Sequence, residues 1–126
     1  MGRSSVARVE SVQVPGKHPG KARDRHLAGE IPELDRLIHE RIRLGIISAL
    51  AVNDSLTFGD LKRLLRTTDG NLSVHARKLE EGGYLTCKKY FEGRIPRTEY
   101  RLTAPGRRAL DRYLQDMEEV IRLARA

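Results

Sequence analysis

The sequence predicts a mainly α-helical fold with one small β-hairpin, an α+β domain, and three observations carry that reading. From Ile31 onward, apolar residues recur at spacings of three and four over most of the chain, the period of helices packed on one side. Between Leu85 and Leu102 the period falls to two, the pattern of short strands. Capping residues and paired glycines mark the ends of the segments in between. The chain has 126 residues, enough for one domain whose core needs no metal or disulfide staple. Hydrophobic residues make up 39% and charged residues 33%, which fits a globular chain with a heavily charged surface.

Residues 1–30 hold scattered charges, five glycines and prolines among residues 15–29, and no periodicity. They read as a basic, flexible N-terminal tail, leaving 31–126 as the folded domain. Leu34, Ile38, Ile42, Ile46 and Ala49 predict a first helix starting near Pro32, with Leu44, Ile47, Leu50 and Ala51 widening its apolar surface. A turn or short strand is expected near Leu56. Thr57 and Asp60 have the spacing of a capping box opening a short second helix that buries Phe58, Leu61, Leu64 and Leu65. After the turn Arg66–Gly70 a third helix runs from Asn71 to about Glu81, ended by Gly82-Gly83 as a left-handed cap. Two strands follow, joined by a charged turn over 92–97 with Pro96 in it. Thr103 then caps a last helix, 103–126, with Pro105 in its first turn.

Lys and Arg number 24 against 17 Asp and Glu, a formal charge of +7. A domain this basic is expected to meet a polyanion. The excess is uneven: residues 84–102 hold five basic and two acidic side chains, whereas 31–61 hold three and five. No apolar run approaches the roughly 20 residues needed to span a bilayer, and the N-terminus lacks the apolar stretch of a secretory signal. Cys87 is the one cysteine, which excludes an internal disulfide framework and points to a reducing compartment. The expected location is cytoplasmic, on the nucleoid when DNA is bound.

Two short helices joined by a tight turn and followed by a basic hairpin describe a winged helix-turn-helix. On the third helix Leu72, Ala76 and Leu79 form the stripe that must face the core. The opposite face carries Val74 and Arg77, flanked by Asn71, Ser73 and Lys78, with His75 at the boundary. Asn, Ser, Arg and Lys are side chains that read base edges in a major groove, with apolar groups for the thymine methyl. Residues 70–81 are therefore the expected recognition helix. The wing, about 91–97, offers Arg94 and Arg97, with Lys88 and Lys89 on its leading strand, suited to phosphates or a narrow minor groove.

These residues resemble a known family. Leu61-Lys62, the run Thr68 to His75, Lys78 to Leu85, and Arg97 to Arg107 are similar to the small winged-helix regulators of the MarR and ArsR group. The resemblance covers roughly 34–115. It implies a homodimeric DNA-binding transcription factor whose third helix is the recognition helix and whose hairpin is the wing. The sequence departs from the family pattern at Val74, where relatives often carry a polar or basic residue, and in its tail.

Leu110, Leu114, Met117, Ile121 and Ala124 are spaced four, three, four and three, a heptad seam expected to pair two copies. The partners expected are thus double-stranded DNA and a second copy, with the cleft between the first and last helices as the candidate place for an unidentified small effector. No cofactor is expected. His18, His26, His39, His75 and Cys87 share no metal-ligand spacing. Catalytic motifs are absent: there is no GxSxG, HExxH or phosphate-cradling loop, so an enzyme is not expected. Cys87 alternates with inward positions and reads as a small core residue. The competing function is a winged helix used as a protein–protein adaptor, with RNA binding third because aromatic residues are only 5%.

Overall fold

The computed structural model describes residues 29–126; the tail predicted over 1–30 lies outside them except for its last two residues. The first element, α1, is Arg41–Ala51, and it starts nine residues later than the apolar period predicts. Asp35 is the reason. Its Oδ1 accepts the backbone N–H groups of Leu37 and Ile38, folding residues 36–38 into a turn. Glu40 then restarts the chain as an N-cap, its carboxylate accepting the Arg43 amide at 2.8 Å. Ile38 is nonetheless fully buried beside Ile42 and Ile46. Their spacing of four reflects one shared core, not one helix.

Strand β1, Leu56–Thr57, leads directly into α2, Phe58–Leu65. The predicted capping box is present, with Thr57 Oγ1 accepting the Asp60 amide and Asp60 Oδ2 accepting the Thr57 amide, each at 3.1 Å. Of the four apolar side chains assigned to the core from this helix, Leu61 is buried but Leu64 is exposed. Helix α3, Asp69–Glu81, is capped by Thr68 and takes Asp69 and Gly70 into its first turn, two residues before the predicted start. At its end the Gly83 amide donates to Glu80 and the Tyr84 amide to Leu79, the paired bonds of a Schellman motif. The left-handed residue is Gly83, at φ 84°, where a side chain would be strained.

The predicted hairpin is β2, Leu85–Glu92, and β3, Ile95–Leu102. β1 adds a third strand, giving an antiparallel sheet in the order β1-β3-β2. Because β1 pairs only Leu56 with Tyr100 and Thr57 with Glu99, the far half of β3 is an edge, where Pro96 removes no ladder bond that β1 could have made. Helix α4, Ala104–Arg125, is capped by Thr103 with Pro105 in its first turn. Its start is wedged against the sheet: a methyl group on Gly106 would strike the Tyr84 carbonyl oxygen.

One apolar cluster joins all of these elements. Ile42, Ile46, Ile47 and Leu50 of α1 lie at its centre, against Leu61, Leu72, Ala76, Leu79, Leu85, Tyr100 and the first half of α4. The sheet therefore leans on the helices, as a hairpin too small to stand alone must. Among the described residues no helix is long and apolar enough to cross a membrane.

Candidate nucleic-acid interface

Helix α3 divides its surface as its period requires. Leu72, Ala76 and Leu79 are buried, whereas Asn71, Val74, Arg77 and Lys78 are exposed and Ser73 is half-buried at the edge facing the sheet. The exposed face is held in place by both ends of the helix-turn-helix. The Asn71 side-chain amide donates to Thr67 Oγ1 at 3.0 Å, and Lys62 bridges to Asp69 across the turn at 2.9 Å. Both groups of that bridge are solvent-exposed, so it orders the turn more than it stabilises the fold.

His75 does not join this face. Its Nδ1 lies 2.9 Å from Arg43 Nη1 and 3.5 Å from Glu40 Oε1, so the ring fastens α3 to the start of α1 and leaves the reading set. The sequence left it at the boundary of the outward face; the structure packs it against the start of α1. Burial holds its pKa below the ordinary 6.5, opposed by Glu40 and aided by Arg43 and Lys78. Glu40 is itself held below the usual carboxylate range: burial raises it, but the amides of Arg43 and Ile42 and the charges of His75 and Arg43 outweigh that.

A stability change with pH follows. Because folding depresses the His75 pKa, the unfolded chain takes up the proton first as pH falls. Stability contributed here is full well above pH 6.5 and is expected to decline as pH drops through 6.5 to the folded-state value. Urea unfolding midpoints across this window should fall in the native chain and fall less in His75→Gln. Parallel pH profiles for the two proteins would contradict the assignment.

The wing carries its charge on two faces, and strand alternation decides which one meets α3. Cys87 and Lys89 point toward α3, while Lys88 lies on the far side over the Tyr90 ring. Lys89 lines a hollow of about 180 Å³ with Ser73, Arg77, Glu80 and Thr98, so of the two lysines on the leading strand it is Lys89 that stands beside the recognition helix. The signal was in the sequence, since Lys89 alternates in step with Leu85 and Cys87. Arg97 also lies on the far face, and its Nε donates to Glu92 Oε1 at 2.9 Å. Arg94 sits exposed at the tip. Among the described residues no carboxylate lies within ion-pairing distance of Arg77, Lys89 or Arg94.

Cys87 packs half-buried against the core, as the alternation predicts. Burial, then the Glu80 charge, pushes its thiol pKa up, away from thiolate chemistry. Its neighbour Tyr100 is pushed up to about 12, by burial first and then by Cys87 and Glu80.

The predicted seam on α4 divides in two. Leu110 is 4% exposed and Met117 is partly buried against the same cluster, so Leu110 belongs to the core of its own chain and cannot serve a partner. Leu114 and Ile121 are 46% and 45% exposed, and Ala124 is exposed near the helix end. Only the outer edge of the heptad pattern is left open.

This geometry, an exposed polar helix face beside a cationic wing, defines a winged-helix nucleic-acid-binding domain, and the comparisons agree. Residues 42–121 match the winged helix DNA-binding domain family. The uncharacterized protein MJ0432 of Methanocaldococcus jannaschii is 34% identical over 83 residues, covering 65% of this chain and 89% of its own. The solved structure of a transcriptional regulator homologue from Pyrococcus horikoshii OT3 superposes with a TM-score of 0.64 at 32% identity, over 68% of this chain and 84% of that one. A MarR-family transcriptional regulator from Silicibacter pomeroyi shares the fold at 20% identity, with a TM-score of 0.54 over 66% and 55% of the two chains. The chain belongs to the winged helix DNA-binding domain family. It is a DNA-binding transcription regulator.

Proposed function

We propose that the chain acts as a homodimer, laying α3 of each copy in successive major grooves with the wings on the flanking backbone. The observation that carries this reading is that Arg77, Lys89 and Arg94 follow one another from α3 to the wing tip, none within ion-pairing distance of a carboxylate among the described residues, although Glu80 also lines the hollow between the first two. Asn71, Ser73, Val74, Arg77 and Lys78 are assigned to the major groove, where Arg reads guanine, Asn reads adenine and Val74 suits a thymine methyl. Lys89 and Arg94 are assigned to phosphates. Lys88 and Arg97, on the far face of the wing, are left with a supporting electrostatic role. The outer edge of α4, Leu114, Ile121 and Ala124, is assigned to the partner copy, which would set two recognition helices about one DNA turn apart. Residues 31–126 form the functional unit in this reading, with the basic tail adding charge, and the protein works in the cytoplasm on the nucleoid.

A small effector has a candidate place among the described residues. Between residues 33–36 and α4 lies a hollow of about 400 Å³ lined by Glu33, Asp35, Arg36, Arg112, Tyr113 and Asp116. It borders the helix proposed to pair the copies, so a ligand there would alter half-site spacing.

Selection of bound duplexes from a random pool tests the reading. Arg94→Ala is expected to weaken binding to all recovered sequences alike and to lower the salt slope by about one unit. Arg77→Ala and Asn71→Ala should instead relax preference at one base position, at a cost of about 1–3 kcal/mol each. Recovery of no enriched duplex, or an identical preference in all three variants, would contradict it. Repeating the selection with candidate small molecules present tests the hollow in the same assay.

A further inference from the structure

The outer end of the wing is apolar on the face that turns toward α3. Cross-strand partners share a face, and the register places Cys87 with Tyr100, Lys89 with Thr98, and Phe91 with Pro96 on the same side. The first pair packs against the core and the second lines the hollow beside Ser73 and Arg77. The third extends beyond α3. Phe91 is 72% exposed, and Pro96 opposite it is exposed as well. Strand rise puts Phe91 about 7 Å past Lys89, farther along the line on which a duplex held by α3 would meet the wing.

The surroundings of that ring select its occupant. Next to it the chain reverses through Gly93 and Arg94 alone, with Glu92 paired to Ile95. Gly93 takes φ 65° at the first loop position, as tight hairpins require. The tip is therefore narrow, and it carries Arg94 at its end and Lys89 two residues behind the ring. A flat apolar side chain framed by two cations without carboxylate partners among the described residues suits a surface of stacked bases walled by phosphates. Two strands about 4.8 Å apart, with side chains added, are too broad for a minor groove about 6 Å wide. Entry therefore needs the groove to open, and a wedged base step opens it.

We propose that Phe91 is an apolar wedge that enters the minor groove beside the site held by α3 and kinks the duplex at a pyrimidine–purine step. Such steps unstack at least cost, so the wing would contribute sequence preference without hydrogen bonds to bases. The proposal rests on α3 occupying the adjacent major groove.

The test uses the full chain and a duplex recovered by it from a random pool, with 2-aminopurine placed at each flanking step in turn and dyes at the duplex ends. Binding of the native protein is expected to brighten 2-aminopurine at one flanking step per wing and to bend the duplex by at least about 20°. Phe91→Lys adds a cation near the phosphates and alters an exposed position, so it should fold and bind within about tenfold of the native chain while losing both signals. Phe91→Leu, still an apolar wedge, should keep both. A bound duplex that stays straight with no brightening, or a Phe91→Lys complex that keeps both signals, would overturn the wedge and leave the α3 reading standing. Failure to recover any duplex would overturn both.

Discussion

Replacing Leu114 and Ile121 together by Glu is expected to yield a folded monomer whose affinity for a two-half-site duplex is about 100- to 10,000-fold weaker. Both side chains lie on the open edge of α4, nearly half exposed, and they are two turns apart on one face of a 22-residue helix about 33 Å long. Charge at these positions costs the single chain little, because neither belongs to the buried cluster. Between two copies it would place like charges in an apolar contact, which is strongly unfavourable. The loss in DNA affinity follows from effective concentration: once one recognition helix is seated, its tethered twin binds intramolecularly, and that advantage disappears with the dimer. Sedimentation with the double variant and the native chain, followed by titration on the same duplex, checks both halves. A native chain that is monomeric at micromolar concentration, or a variant that remains dimeric, would contradict the assignment.

Leu72→Ala is expected to destabilise the fold by about 3 kcal/mol. Leu72 is fully buried and lies on the inward stripe of α3 with Ala76 and Leu79, against Leu61 and the isoleucines of α1. Its removal leaves a void between the recognition helix and the rest of the domain, in a core too closely packed to collapse freely. Urea unfolding should show a lower midpoint with an unchanged slope. Against a native stability of about 5–15 kcal/mol, the variant should stay folded in dilute buffer, and its DNA preference should match the native one because the outward face is untouched. A loss under about 1 kcal/mol would mean that α3 is not anchored through this residue.

Much of the scaffold was legible because its signals are local. The Thr57–Asp60 box, the Thr103 cap and the Gly82-Gly83 stop each act over three or four residues, so their spacing alone places α2, the end of α3 and the start of α4. The start of α1 was not legible from the period, because Ile38 keeps the helical spacing while sitting in a turn made by Asp35. A short polar side chain accepting amides ahead of it was the available clue.

The site was legible to the extent that periodicity alone decides facing. The outward face of α3 followed from Leu72, Ala76 and Leu79. His75 went astray because its partners, Glu40 and Arg43, are more than 30 residues away in sequence. Lys88 and Lys89 were both placed on the leading strand, and strand parity alone separates the one beside α3 from the one on the far face. Arg97 was placed on the DNA before its partner across the hairpin, Glu92, was known. On α4 a heptad pattern reports apolar positions without saying what covers them, so Leu110, buried in its own chain, was indistinguishable from Leu114.

The most direct test of the central claim, that the cations running from α3 to the near face and tip of the wing hold duplex DNA, is the salt dependence of binding in Arg77→Ala/Lys89→Ala/Arg94→Ala. For the native chain, log affinity should fall linearly with log salt, by roughly 0.9 for each phosphate contacted. The triple variant should bind more weakly at low salt, with a slope shallower by about two units, from the loss of the Lys89 and Arg94 phosphate contacts. Equal slopes for the two proteins, with unchanged affinity, would place the DNA elsewhere on the molecule and contradict the account.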